Sequence, residues 1–386
     1  MSSDKVRTLV VDDTALYRRI LTEALEATGE ADVVGSAPHG RLALARLDTL
    51  AVDLVLLDVE MPELDGPGTL AEIQKRANPP TVVMISGATT RSAQSTLNAL
   101  RMGALDFIRK PDGGDPESSR RELVEKLRPL LRHVKNRKNL RQATVSSAPT
   151  APAGHALLPN LGTGLGATPL PIPASTVALP RAPLATPAVH TFAAIGIGVS
   201  TGGPNALGEM IPRLPVDLPL PILLVQHMPP GFTASLAEHL DRYSPIRVKE
   251  AEEGEAVRGG CVYIAPGGKH MVLRRLPAGG LIVGLNEQAP VHSCRPSVDV
   301  LFRSMAAQVD GAVLAVVMTG MGNDGCDGVR ALKRQGAYCL TQTEKSCVVY
   351  GMPLAVDEAA LSDEQVPLDL LALRVTQLAR RGTRHA

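Results

Sequence analysis

Two blocks in which short apolar runs alternate with longer amphipathic ones, divided by a tract of proline, alanine and glycine, restrict this chain to two parallel-sheet domains on a tether. In the first block the runs Val6–Val11, Asp32–Gly35, Leu54–Leu57, Thr81–Ile85 and Leu105–Ile108 predict five strands. Between the first two, Ala15–Ala27 carries Leu16, Ile20, Leu21, Ala24 and Leu25 on one stripe, the period of a helix. Strand and helix patterns return from Phe192, where AAIGIGV, PILLVQH and AVLAVVMTG are continuous apolar runs of the kind buried on both faces. Val262–Ala265, Met271–Leu273 and Leu281–Val283 are expected as short strands of an antiparallel excursion. The fold class is therefore α/β, with two doubly wound parallel-sheet domains at 1–140 and 191–386. The intervening 141–190 has almost no charge and no periodicity, so it cannot bury enough apolar surface to offset its ordering entropy and is expected to be a flexible linker.

Composition removes several function classes. An aromatic share of 2% with no Trp means that the cores are built from aliphatic side chains, which suits covered parallel sheets. A formal net charge of +1 argues against nucleic acid as the main partner. Basic residues do cluster between Arg120 and Arg141, but Leu123, Val124, Leu127, Leu130 and Leu131 share the segment, so it reads as the solvated face of a packed helix. Five scattered cysteines without a paired spacing point to free thiols in a reducing compartment. No run of about 18 apolar residues exists, so membrane insertion is not expected, and the acidic N-terminal segment leaves no signal-peptide core. A cytoplasmic protein is the expectation.

Two sites stand at the ends of the predicted strands, where open α/β sheets place their ligands. The first gathers Asp12 and Asp13 after strand one, Asp58 after strand three, Ser86 after strand four and Lys110 after strand five. Carboxylates converging in this number repel one another unless a cation sits among them, and hard oxygen ligands suit Mg²⁺. A carboxylate beside the metal and a lysine is a phosphoryl acceptor in waiting. The segments VVDD, LLDVEMPELDG, ISG and FIRKP resemble the response-regulator receiver family over about the first 130 residues. That resemblance implies a flavodoxin-like receiver in which Asp58 takes phosphate from a histidine kinase. It also implies that Asp12 and Asp13 hold Mg²⁺ with Asp58 and the backbone carbonyl of Glu60, that Ser86 and Lys110 bind the phosphoryl group, and that Phe107 is the aromatic switch position.

The second site centres on Gly198-Val199-Ser200-Thr201-Gly202, a G-x-S-x-G turn directly after a predicted strand. A serine hydroxyl needs a base, and His227 at the end of the next apolar run is the best placed, since tips of adjacent strands about 4.8 Å apart meet. Asp324, in the glycine-rich loop after AVLAVVM, ranks first as the acid that fixes the imidazole tautomer, while Asp299 and Asp327 compete on spacing alone. The order serine, histidine, aspartate differs from that of common α/β-hydrolases. GVSTGGPNAL, QHMPPGFTASLAEHL, VYIAPGGKHM, RPSVDVLF, MTGMGNDGCDGV and TEKSCVVYGMP together resemble the protein-glutamate methylesterase family of bacterial chemotaxis over roughly 192–378. The resemblance implies a Rossmann-like catalytic domain, the triad Ser200, His227 and Asp324, and an oxyanion held in part by the backbone amide of Met321. It further implies a substrate of glutamate γ-methyl esters on the cytoplasmic helices of chemoreceptors, with glutamine deamidation beside it, and no cofactor for the hydrolysis.

Three rival readings have their own sequence signs. A DNA-binding output domain lacks a helix-turn-helix pattern and a basic stripe. A dinucleotide site would need G-x-G-x-x-G, and the spacing after Gly196 is G-x-G-x-x-x-G. A receiver-controlled, non-catalytic adaptor keeps every motif but needs the triad to be unassembled in space. Cys326 flanks the Asp324 loop with no base beside it and reads as a buried thiol.

Overall fold

The computed structural model describes residues 5–87, 89–111, 115–146 and 191–381. The first domain is a five-stranded parallel sheet of β1 (Val6–Val11), β2 (Ala31–Ala37), β3 (Leu54–Asp58), β4 (Thr81–Ser86) and β5 (Asp106–Arg109), in the spatial order β2-β1-β3-β4-β5. Five helices connect and cover it: α1 (Ala15–Thr28), α2 (Gly40–Leu47), α3 (Gly66–Gln74), α4 (Thr90–Arg101) and α5 (Pro116–Ser146). Parallel pairing demands crossovers, and the reversal of strand order beside β1 brings the tips of β1 and β3 to one crevice.

The basic segment of α5 packs as expected: Leu123, Leu127, Leu130 and Leu131 are buried against the sheet and α1. This helix continues to Ser146, so the expected linker start at 141 falls on its last turns. The remainder of the tract, 147–190, lies outside the described residues.

The second domain holds β6 (Phe192–Val199), α6 (Gly203–Met210), β7 (Ile222–Gln226), α7 (Phe232–Tyr243), β8 (Arg247–Glu250), β9 (Cys261–Ile264), β10 (His270–Arg275), β11 (Leu281–Asn286), α8 (Val298–Gln308), β12 (Ala312–Val317), α9 (Cys326–Lys333), β13 (Tyr338–Gln342), α10 (Met352–Glu358), β14 (Glu364–Val366) and α11 (Leu368–Arg381). Seven of its strands form a parallel sheet in the order β14-β13-β12-β6-β7-β9-β8. The antiparallel excursion is narrower than its sequence pattern: β10 and β11 form the hairpin, but β9 pairs parallel with β7 and β8. β9 is buried on both faces, as a parallel strand must be, which its four-residue length alone did not reveal.

Strand β6 lies between β12 and β7, so the three loops that carry Ser200, His227 and Asp324 leave neighbouring strand tips. The first domain sits against this one through α4 and β5. Asn205 Nδ2 donates to the carbonyls of Ala104 and Leu105 at 2.9 and 3.0 Å, and the Phe107 and Phe232 rings stack at 5.0 Å. Arg101 donates to the Tyr243 hydroxyl at 2.8 Å and lies over its ring.

Candidate functional sites

In the receiver, β1 ends directly before Asp12 and β3 ends on Asp58. Register brings them together, because Val11 pairs with Leu57 and the next residues on each strand are the two aspartates. Carboxylate oxygens of Asp12, Asp13 and Asp58 lie within 4.8 Å of one another, with Asp12 and Asp58 buried. Lys110 Nζ bridges the two buried acids, 2.7 Å from Asp12 Oδ2 and 2.9 Å from Asp58 Oδ2. Burial pushes the Asp58 carboxyl up to about 6, with the Asp12 charge adding to it and Lys110 acting against both. A group so placed gains from a cation more than a solvated carboxylate does, and an all-oxygen donor set fits Mg²⁺. Ser86 ends β4, buried, and accepts a hydrogen bond from Thr96 Oγ1 at 2.8 Å. The Glu60 side chain turns to Ser92, whose hydroxyl donates to Oε1 at 2.7 Å. Phe107 is drawn to the other domain, its ring on Phe232.

In the second domain, the turn after β6 is pinned from several sides. Ser200 N donates to Thr319 O at 2.9 Å, and Ser200 O accepts from Gly203 N at 2.8 Å and from Gln226 Nε2 at 2.9 Å. Gly202 has a φ of +76°, and a Cβ there would stand 2.5 Å from Val348, so only glycine serves. Gly320 is fixed by proximity instead: its Cβ would meet Ser200 Cβ at 2.8 Å and Met352 Sδ at 2.4 Å. The loop that contains Met321 therefore closes directly on the serine. Pro204 in the first turn of α6 takes a place where a missing N–H does no harm.

His227 follows β7, its amide donating to Val199 O at 3.1 Å, so it leaves its strand level with Ser200. Its Nε2 lies 2.8 Å from Asp324 Oδ2. Asp324 is buried and also accepts from Val298 N (2.7 Å), Asp299 N (3.0 Å) and Ser297 Oγ (2.8 Å), the cap and first turn of α8. Burial alone would raise this carboxyl, but His227 and the helix amides hold it below the usual range. Burial likewise lowers the imidazole, yet Asp324 and Cys294 outweigh it and push it up to about 9.

Of the three acids that spacing left open, Asp324 is the one at the imidazole. Asp299 accepts from the Gly325 and Gly328 amides and lies 3.1 Å from His292, while Asp327 is half-exposed beside Arg303 and Arg330. Ser200 is not joined to this pair by a hydrogen bond: among the described residues, none connects its Oγ to His227. The remaining ring nitrogen, Nδ1, lies 3.5 Å from Cys294 Sγ instead. Cys294, Gln226, Thr319 and Ser297 escaped the sequence reading, although Ser297 three residues before Val300 carries a cap signal. Cys326 is half-buried, with its thiol donating to Ala355 O.

The CheB methylesterase family profile matches residues 195–375, and that of the response regulator receiver domain matches 8–120. A protein-glutamate methylesterase/protein-glutamine glutaminase from Halalkalibacterium halodurans is 40% identical over 378 residues, covering 98% of this chain and 99% of its own. One of the same description from Symbiobacterium thermophilum is 41% identical over 383 residues, with 98% of each chain covered. Among solved structures, the catalytic domain of Thermotoga maritima CheB methylesterase is 40% identical and covers 49% of this chain and 99% of its own, with a TM-score of 0.47.

Proposed function

This chain belongs to the CheB methylesterase family, and from that membership we propose which of its residues carry the family's chemistry. It is a receiver-regulated protein-glutamate methylesterase and protein-glutamine glutaminase of chemotaxis adaptation. Ser200 is the nucleophile, His227 the base and Asp324 the acid that orients it. The observation that carries this reading is the 2.8 Å pair of His227 and Asp324 on the strand tips flanking the Ser200 turn.

Because Asp324 takes Nε2, the nitrogen left for Ser200 is Nδ1, which Cys294 holds in the arrangement described. Catalysis then begins when Nδ1 leaves the thiol for the serine hydroxyl, a tightening expected on substrate binding. Ser200 Oγ bonds to the side-chain carbonyl carbon as His227 takes its proton. The C–O bond to the methoxy group breaks, and His227 returns the proton to give methanol. Water, deprotonated by the same ring, cleaves the glutamyl-serine ester. With a glutamine side chain the leaving group is ammonia. The backbone amide of Met321 holds the oxyanion, supported by the contact of its loop with Ser200 that Gly320 permits.

In the receiver Asp58 is the phospho-acceptor, Ser86 and Lys110 hold the phosphoryl oxygens, and Phe107 is the switch. Asp12, Asp13, Asp58 and the Glu60 carbonyl would hold Mg²⁺, which neutralises charge on the transferring phosphoryl group. A histidine kinase of the chemotaxis type is the donor, and the substrate is the cytoplasmic helices of methyl-accepting chemoreceptors. On this reading the protein works in the cytoplasm; among the described residues, no helix is long and apolar enough to cross a membrane. The test is methanol release from methylated receptor with and without a small phosphodonor. Ser200→Ala is expected to remove nearly all turnover; near-wild-type release by that variant refutes the nucleophile assignment.

A further inference from the structure

Four consecutive receiver residues grip the second domain, and one of them reaches the nucleophile turn. Asp106 opens β5 and is 6% exposed. Each of its carboxylate oxygens accepts one backbone amide: Oδ1 that of Phe107 at 2.8 Å, Oδ2 that of Gly202 at 2.9 Å. A carboxylate serves two donors from opposite oxygens, whereas an asparagine turns an NH₂ toward one of them. Burial raises the Asp106 carboxyl to about 6, with only these two amides acting against it. The interface therefore keeps an acidic group at a place where burial disfavours its charge.

The two amides it joins are not ordinary ones. Phe107 is the proposed switch residue, its ring stacked on Phe232 of α7. Gly202 is the N-cap of α6 and lies two residues after Ser200, in the turn closed by the Gly203 N to Ser200 O bond. Val348 packs against Gly202, so the turn has little room to yield sideways. Movement at Phe107 is thus transmitted through one side chain to the turn that aims the serine.

We propose that Asp106 is a positioning residue of the esterase contributed by the receiver, tying the switch position to the Ser200 turn so that the receiver acts on nucleophile geometry as well as on access. This deepens the function proposed above and rests on it. A receiver that only covers the site would slow a bulky protein substrate and leave a small ester untouched. A receiver that also sets the turn changes the turnover of both.

The test uses the full chain, a small soluble methyl ester, acetyl phosphate as phosphodonor, and hydrogen exchange at the Gly202 amide. In the wild type, Gly202 is expected to be protected without phosphodonor, with protection falling about tenfold or more on its addition, the scale of a charge-assisted hydrogen bond. The small-ester kcat changes with it while KM stays near constant. Asp106→Asn, whose oxygen is a weaker acceptor and faces Gly202 in only one orientation, is expected to lower that protection and to lose the response of kcat to phosphodonor, although Asp58 still takes up phosphate. Wild-type Gly202 protection in Asp106→Asn, or an undiminished small-ester response, overturns the proposal. If the asparagine disturbs folding, Asp106→Ser, too short to span both amides, is read against the same two outcomes. Ser200→Ala run in parallel separates the two readings: turnover that survives it sinks the nucleophile assignment and leaves the Gly202 exchange result standing.

Discussion

Replacing Asp324 by asparagine tests the electrostatics of the esterase site most directly. The carboxylate accepts four hydrogen bonds, two on each oxygen: His227 Nε2 and Val298 N on Oδ2, Ser297 Oγ and Asp299 N on Oδ1. Whichever oxygen becomes NH₂ then faces a backbone N–H, and one buried donor is left unpaired at about 1–3 kcal/mol. The amide also donates to Nε2 in one orientation, which moves the ring proton to Nδ1, the nitrogen proposed to accept from Ser200. A wrong tautomer in a serine triad lowers kcat by about 10⁴-fold.

The pH dependence of stability supplies a second, independent readout. His227 is raised from 6.5 to about 9 in the folded chain, and a rise of that size corresponds to about 3 kcal/mol of coupling. Because the folded value lies above the unfolded one, this stabilisation is complete below pH 6.5 and disappears as pH rises through 9. Urea midpoints of wild type and Asp324→Asn at pH 6 and pH 10 measure it. The gap between the two proteins should be widest at pH 6 and shrink at pH 10. An equal gap at both pH values refutes the coupling of His227 to Asp324, whatever the variant does to turnover.

Other substitutions probe the remaining contacts. Gly320→Ala forces a methyl to within 2.8 Å of Ser200 Cβ; a loss of about 1–3 kcal/mol in thermal unfolding is expected, with a matching fall in ester hydrolysis. Cys294→Ala removes one of the groups that raise the imidazole and frees Nδ1, so the rising limb of the pH–rate profile should move to lower pH; an unmoved limb counts against the competition between thiol and serine. Lys110→Ala leaves the buried Asp12 and Asp58 carboxylates without their shared cation. Activation by phosphodonor should vanish in that variant while the unphosphorylated small-ester rate stays within about twofold, since the side-chain partners of Lys110 are Asp12, Asp58 and Tyr17 and none belongs to the second domain.

The parallel architecture was legible because most of its strands are continuous apolar runs, and all five expected runs of the first domain are strands. What escaped was short or non-local. β8 and β14 have four and three residues, too few for a periodic signal, and nothing in the four residues of β9 separates parallel from antiparallel pairing. Spacing ranks Asp324 first without excluding Asp299, because distance along the chain does not say which of two acids the fold brings to the imidazole. The fold separates them through α8, whose first turn faces one carboxylate and leaves the other to cap α9. Asp106, Asn205 and Cys294 belong to contacts between segments far apart in sequence, and no local pattern announces such a meeting.

The placement of β6 has a consequence for how the molecule comes into being. The strand that leads to Ser200 is made first within its sheet yet ends in the middle of it, with β7 on one flank and β12 on the other. As the chain emerges from a ribosome, Ser200 appears early, and Asp324 arrives only after α8 and β12 have been synthesised. A truncated product that stops before Asp324 carries Ser200 and the first turn of α8 but not the carboxylate which that turn secures, and on the proposed triad it is expected to be inert. Hydrolytic power arises late, once the centre of the sheet has been closed from both sides.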